Sequence, residues 1–248
     1  MYLLWCPETQ GFDGNGGAFP DSLFIYSLMT MLLYLSSFML GSDFPTFAER
    51  VGAGSRVAII ANALDQYSTE ARSFRVGAEI KKLSEFDLDA HEFDLRPFFD
   101  RKHAIQSALD EFDLLWVYGG NSFVLKRAFE QSGLDDYLPD LLSSGALTYA
   151  GFSAALVPVM TTLTGLELCD DPTVLPAGYR PEFSDHGLGL VDRVVVPHFR
   201  SDHRESSAIE NYVRFLDANT IPYVALRDGQ ALLVDGDSVS VVGSPEFR

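Results

Sequence analysis

Short apolar runs rich in β-branched and aromatic residues alternate with helically spaced segments along this chain, and that alternation constrains the fold more than any other feature. Residues 56–62 (RVAIIAN) and 114–118 (LLWVY) are apolar at successive positions. That pattern suits parallel strands buried on both faces. Residues 31–38, 90–95 and 146–150 read as further strands. Residues 66–84 carry helical spacing, with Phe74, Val76, Ile80 and Leu83 as candidate core positions. A helix is expected from Pro97 through Leu109, and others over 122–131 and 134–142. Strands and helices alternating at this spacing imply parallel βαβ units with right-handed crossovers.

After Gly187 the character changes. Residues 193–196 read as a strand and 207–219 as an amphipathic helix. Residues 223–227 and 231–234 read as strands joined by an Asp228-Gly229 hairpin turn. A further hairpin strand over 238–242 follows Asp235-Gly236-Asp237. The expected architecture is an α/β, three-layer α/β/α sandwich, with a mostly parallel sheet and an antiparallel C-terminal edge. No linker divides it, so residues 31–248 read as a single hydrolytic domain.

The formal net charge of −17 opposes nucleic acid, and no basic stripe offsets it. Cys6 and Cys169 have no CxxC spacing and no His-rich neighbour, so neither a metal site nor any other cofactor is expected. Residues 23–40 carry no charge and are long enough to be considered for a membrane span. The first basic residue of the chain, however, is Arg50, and Glu8, Asp13 and Asp21 precede the stretch. It therefore splits into a poorly ordered extension over residues 1–30 and the first buried strand. No membrane association is expected, the expected location is the cytoplasm, and the expected state is a monomer or homodimer.

Chemistry concentrates in Tyr149-Ala150-Gly151-Phe152-Ser153-Ala154-Ala155. A strand followed by small-x-Ser-x-small and a helix start is the pattern of a nucleophile elbow. The tight turn demands small residues two before and two after the serine, and Gly151 and Ala155 meet that demand. A bare helix N-cap would show a similar serine. A nucleophilic serine needs a base. His198 closes the run Val194-Val195-Val196-Pro197, at the same carboxyl edge of the sheet as Ser153, whereas His91, His103 and His203 read as surface residues. Candidates for the carboxylate that orients the imidazole are Asp171, then Asp170, then Glu167. The oxyanion requires aimed donors. Ala154, directly after the serine, gives one backbone N–H, and Gly119-Gly120-Asn121, after a buried strand, can give another.

Three segments, Trp116-Val117-Tyr118-Gly119-Gly120-Asn121-Ser122-Phe123, residues 149–155 and Val196-Pro197-His198-Phe199, resemble in that order the dipeptidase E (aspartyl dipeptidase) and cyanophycinase family of serine peptidases. The resemblance spans about residues 31–243, and Leu226-Arg227-Asp228-Gly229-Gln230 fits it too. It implies a flavodoxin-like fold akin to class I glutamine amidotransferases, no metal, and cleavage of short peptides, often after an N-terminal aspartate. It also implies Ser153 as nucleophile, His198 as base, and oxyanion donors from the Gly119-Gly120 turn and Ala154. Two departures stand out. The elbow ends Ser153-Ala154-Ala155 where the family has Ser-Ala-Gly, and the acid does not align without a gap. An acidic substrate side chain would need an arginine, for which Arg200 and Arg204 are candidates, with Arg180 a third. The alternatives are a catalytically silent binding protein or an amidohydrolase on the same fold.

Overall fold

The computed structural model describes residues 30–245. All but the last residue of the expected N-terminal extension, and Cys6 with it, lie outside the described residues.

Five parallel strands form the heart of one seven-stranded sheet. They are β1 (Leu32–Ser36), β2 (Arg56–Ile60), β3 (Asp89–Glu92), β4 (Leu114–Val117) and β5 (Thr148–Phe152). Two antiparallel strands, β8 (Ala231–Asp235) and β9 (Ser238–Val242), complete it in the order β3-β2-β4-β5-β1-β8-β9. The flat hydrophobicity of the central runs follows from burial on both faces. Val57 and Ile59 of β2 and Leu114 and Trp116 of β4 face one layer, and Ala58, Ile60, Leu115 and Val117 face the other. Helices α1 (Phe44–Val51) and α2 (Thr69–Ser84) cover the first face. Helices α3 (Ile105–Leu109), α4 (Ser122–Ser132) and α5 (Leu134–Ser143) cover the second. Each fully buried Leu, Ile or Phe in these layers contributes roughly 1.5–3 kcal/mol.

Helix α2 corrects the expected core face. Val76 and Leu83 are buried, but Phe74 is 78% exposed. The buried positions are Arg72, Val76, Glu79 and Leu83, one stripe at helical spacing. Its two polar members are partnered: Arg72 pairs with Asp65 and Glu92, and Glu79 accepts from the Trp116 indole at 3.0 Å. Phe74 points the other way because burial of these polar groups, once satisfied, fixed the rotation of the helix. The helix expected from Pro97 breaks into two short 3₁₀ turns followed by α3.

The C-terminal third departs further. Strands β6 (Val194–Val196) and β7 (Tyr223–Ala225) pair in parallel as a separate two-stranded sheet, with α6 (Ser206–Ala218) between them in sequence. Strand β7 therefore does not form a hairpin with β8, which pairs with β1 instead. The Asp228-Gly229 segment is a link between two sheets. A third apolar cluster holds this region to the rest, with Val194 and Val196 packed among Phe123, Met160, Ile209 and Leu216.

Candidate active site

Parallel strands bring their carboxyl ends to one edge, where open α/β sheets bind ligands. Four chain segments meet there. Ser153 follows β5, Gly119 and Gly120 follow β4, and Ser37 follows β1, whereas His198 comes from β6 of the second sheet and not, as expected, from the same sheet as Ser153.

Ser153 has φ +55°, in the left-handed region. A side chain there costs roughly 1–2 kcal/mol, and such strain marks the elbow geometry. The turn is as crowded as the sequence pattern implies. A Cβ on Gly151 would lie 2.3 Å from the Val117 carbonyl oxygen and 2.6 Å from the Ala155 Cβ. Ala155 is itself fully buried, so its methyl is accommodated. The expected helix after the serine is a single 3₁₀ turn, Ser153–Leu156. Pro158 has no N–H to give the Ala154 carbonyl, which accepts from Val157 instead.

His198 is 1% exposed. Its Nε2 lies 3.1 Å from the Ser153 Oγ, and its Nδ1 lies 2.8 Å from the Asp228 Oδ1. An ionised carboxylate only accepts, so Nδ1 carries the proton and Nε2 is left to accept from the serine hydroxyl. Ser37, fully buried, ties the arrangement together: its hydroxyl donates to the Asp228 Oδ1 at 2.8 Å and accepts from the His198 N–H at 2.8 Å. The Asp228 N–H donates to the Ser201 Oγ at 2.8 Å. Burial pushes the Asp228 carboxyl upward, but the His198 hydrogen bond and charge, with the Ser37 hydroxyl, outweigh it and hold it below the ordinary carboxylate range. The His198 ring has Phe38 edge-on at 5.7 Å and His203 stacked at 3.7 Å. Burial, then the charge of His198, lowers the His203 imidazole's pKa. His203 is thus part of the site rather than a surface residue.

The three carboxylates expected beside the imidazole are elsewhere. Asp171 accepts from the Thr173 N–H and hydroxyl. Asp170 accepts from the Ser122 N–H at 2.8 Å. Glu167 is exposed. All three follow the serine closely in sequence, but β6 and β7 carry the histidine to a different partner. Asp228 was legible only as a turn residue, and the link between two sheets is what aims it inward.

A cleft of about 340 Å³ opens over Ser153 and His198, lined also by Gly119, Gly120, Asn121 and Arg204. Gly120 has φ +150°, and a Cβ there would stand 2.5 Å from the Ala63 carbonyl oxygen. Only glycine lets this loop lie so close to the loop after β2. The Asn121 side chain is committed to structure: its Oδ1 caps α4 by accepting from the Val124 N–H, and its Nδ2 donates to the Asp171 carbonyl. Its own N–H donates to the Ala63 carbonyl. Arg200 does not line the cleft; it lies over the ring of Phe199. Arg180 pairs with Asp100 away from the site. Among the described residues, no helix is long and apolar enough to cross a membrane.

A model of peptidase family S51 matches residues 45–242. The chain belongs to peptidase family S51. Peptidase E of Streptomyces coelicolor is 31% identical over 79% of this chain and 74% of its own length. A probable alpha-aspartyl dipeptidase of Drosophila melanogaster is 28% identical over 56% of each chain. Among solved structures, a putative peptidase E protein from Listeria monocytogenes superposes with a TM-score of 0.71 at 22% identity. That match covers 86% of this chain and 98% of the other. This S51 chain is therefore a peptidase, with the α/β fold of its structural neighbours.

Proposed function

We propose that this S51 peptidase is a serine dipeptidase in which Ser153, His198 and Asp228 act as a triad. The observation that carries the reading is a single buried imidazole joined at 3.1 Å to a strained serine and at 2.8 Å to a carboxylate. The Ser153 hydroxyl attacks the scissile carbonyl while His198 Nε2 takes its proton. His198 then returns the proton to the leaving amine. Asp228 fixes the tautomer and stabilises the imidazolium, and Ser37 holds both in place. The Ala154 and Gly120 N–H groups face the developing oxyanion. Arg204 lines the cleft, paired with Glu205, and we assign it to meet an acidic side chain at the peptide's N-terminal position, in line with the names of the S51 relatives.

The test is turnover of Asp-Leu combined with labelling by a fluorophosphonate. Wild type turns over the dipeptide and is labelled at Ser153. Ser153→Ala loses both, with turnover falling by roughly 10⁴-fold or more. Equal turnover in the variant ends the proposal.

A further inference from the structure

The cleft is charged unevenly. At its inner end, a small cavity of about 30 Å³ lies behind Ser153 and His198, lined by Asp170, Glu205 and Tyr212 among others. Asp170 and Glu205 line both this cavity and the open cleft, so they stand where the two join beside the nucleophile. The Tyr212 side chain is 1% exposed, and its hydroxyl has no hydrogen-bond partner among the described residues. A buried, unpartnered hydroxyl is costly unless something accepts from it or donates to it. Burial raises the pKa of the Asp170 carboxyl, and the charge of Glu205 adds to the effect, against the hydrogen bonds from Ser122. The inner end therefore brings two carboxyl groups and a buried, unpartnered hydroxyl to one small cavity. Arg204 pairs with Glu205 at 3.2 Å, and its charge also reaches Asp170.

The open cleft adds a positive charge that the small cavity lacks. Arg75 projects from α2 with its guanidinium 4.4 Å from the centre of the Tyr67 ring, and both residues line the cleft. Arg75 makes no ion pair among the described residues, in contrast to Arg72 on the same helix. A guanidinium braced on an aromatic face presents its N–H fork for a carboxylate.

A dipeptide with its scissile carbonyl at Ser153 has the same polarity. Its α-ammonium sits one carbon from the reacting carbon, on the acyl side. Its α-carboxylate sits beyond the leaving amine. We infer that the cleft reads both ends of a free dipeptide, seating the α-ammonium between Asp170 and Glu205 with the Tyr212 hydroxyl, and the α-carboxylate on Arg75. This rests on Ser153 being the nucleophile, as proposed above, and adds what limits the substrate to two residues. A blocked amine places a neutral group in the acidic end, and an amide or longer chain leaves Arg75 without its anion.

The experiment compares kcat/KM for Asp-Leu, N-acetyl-Asp-Leu and Asp-Leu-amide in wild type, Asp170→Asn and Arg75→Gln. Ratios within one variant cancel any loss of folded enzyme. Wild type is expected to prefer the free dipeptide over each blocked form by roughly 10- to 100-fold, the range of a hydrogen bond to a charged group. Asp170→Asn should collapse the preference over the acetylated peptide and keep the preference over the amide. Arg75→Gln should do the reverse. Unchanged ratios in both variants, or a wild type indifferent to blocking, overturn the inference while leaving the nucleophile assignment standing. A wild type inert to all three peptides overturns the underlying dipeptidase reading, and with it this inference.

Discussion

Two polar clusters sit at the carboxyl edge of the same sheet, and they differ in where their free valences point. Around Asp65, which is 1% exposed at its side chain, the carboxylate accepts from Arg72 Nε at 2.7 Å, Asn62 Nδ2 at 2.9 Å and the Tyr179 hydroxyl, with Arg96 at 3.6 Å. Its lone pairs are spent on neighbours. Around His198, the groups are as buried and as tightly bonded on one side, but the Ser153 hydroxyl opens on a cleft. Backbone strain follows the same division. Ser153 and His198 have φ of +55° and +59°, while Asn62, Asp65, Arg72, Glu92 and Tyr179 are all outside the positive-φ set. A dense polar network by itself therefore does not mark a reactive site; an unspent group aimed at a cavity, held there at a conformational cost, does.

Breaking each cluster should reveal this difference. The largest effect is expected from Asp228→Asn. It preserves shape but lets the His198 tautomer reverse, so kcat should fall by about 10⁴-fold, which steady-state kinetics with little change in melting temperature would establish. Asp65→Ala should do the opposite. It takes one of two carboxylate partners from the buried Arg72 and the acceptor from the Tyr179 hydroxyl, and should cost about 3 kcal/mol in denaturant unfolding, with kcat per folded molecule close to wild type. A fall in kcat matching that of Asp228→Asn would erase the distinction between the clusters. Ser153→Gly removes the side chain that opposes a left-handed backbone. It should abolish turnover yet raise stability by roughly 1–2 kcal/mol, read from the shift in the unfolding midpoint; a loss of stability would refute stored strain. The smallest effect is expected from Asn121→Ala, which removes the α4 cap and should cost about 1 kcal/mol. A much larger loss of activity than of stability there would return Asn121 to the chemistry.

Much of the architecture was legible because periodicity reports burial directly. The runs at β2, β4 and β5 and the helices α4, α5 and α6 appear within a few residues of the expected places. The elbow was legible for a steric reason: at a strand end that crowded, the residues flanking the serine pattern have to be small. Phe74 and Asp228 were not legible, for a common reason. Which face of α2 is buried depends on Asp65 and Glu92 meeting Arg72, and on Trp116 meeting Glu79. Local hydrophobicity contains none of these pairings.

The sequence alone determined that a serine on a tight turn would stand at the carboxyl edge of a parallel sheet, and that a valine-rich strand would end in a histidine. Those are consequences of local sterics and of strand direction. Only the tertiary structure decided which carboxylate completes the group and how the cleft is charged. The chain leaves the first sheet after β5, forms β6 and β7 of a second sheet, and returns through β8 to the first. That detour swings Asp228 under the imidazole, while Asp170, held by the Ser122 N–H, lines the cavity beside the serine. Sequence distance carries no information about that choice, because it is made by which strands pair across the chain.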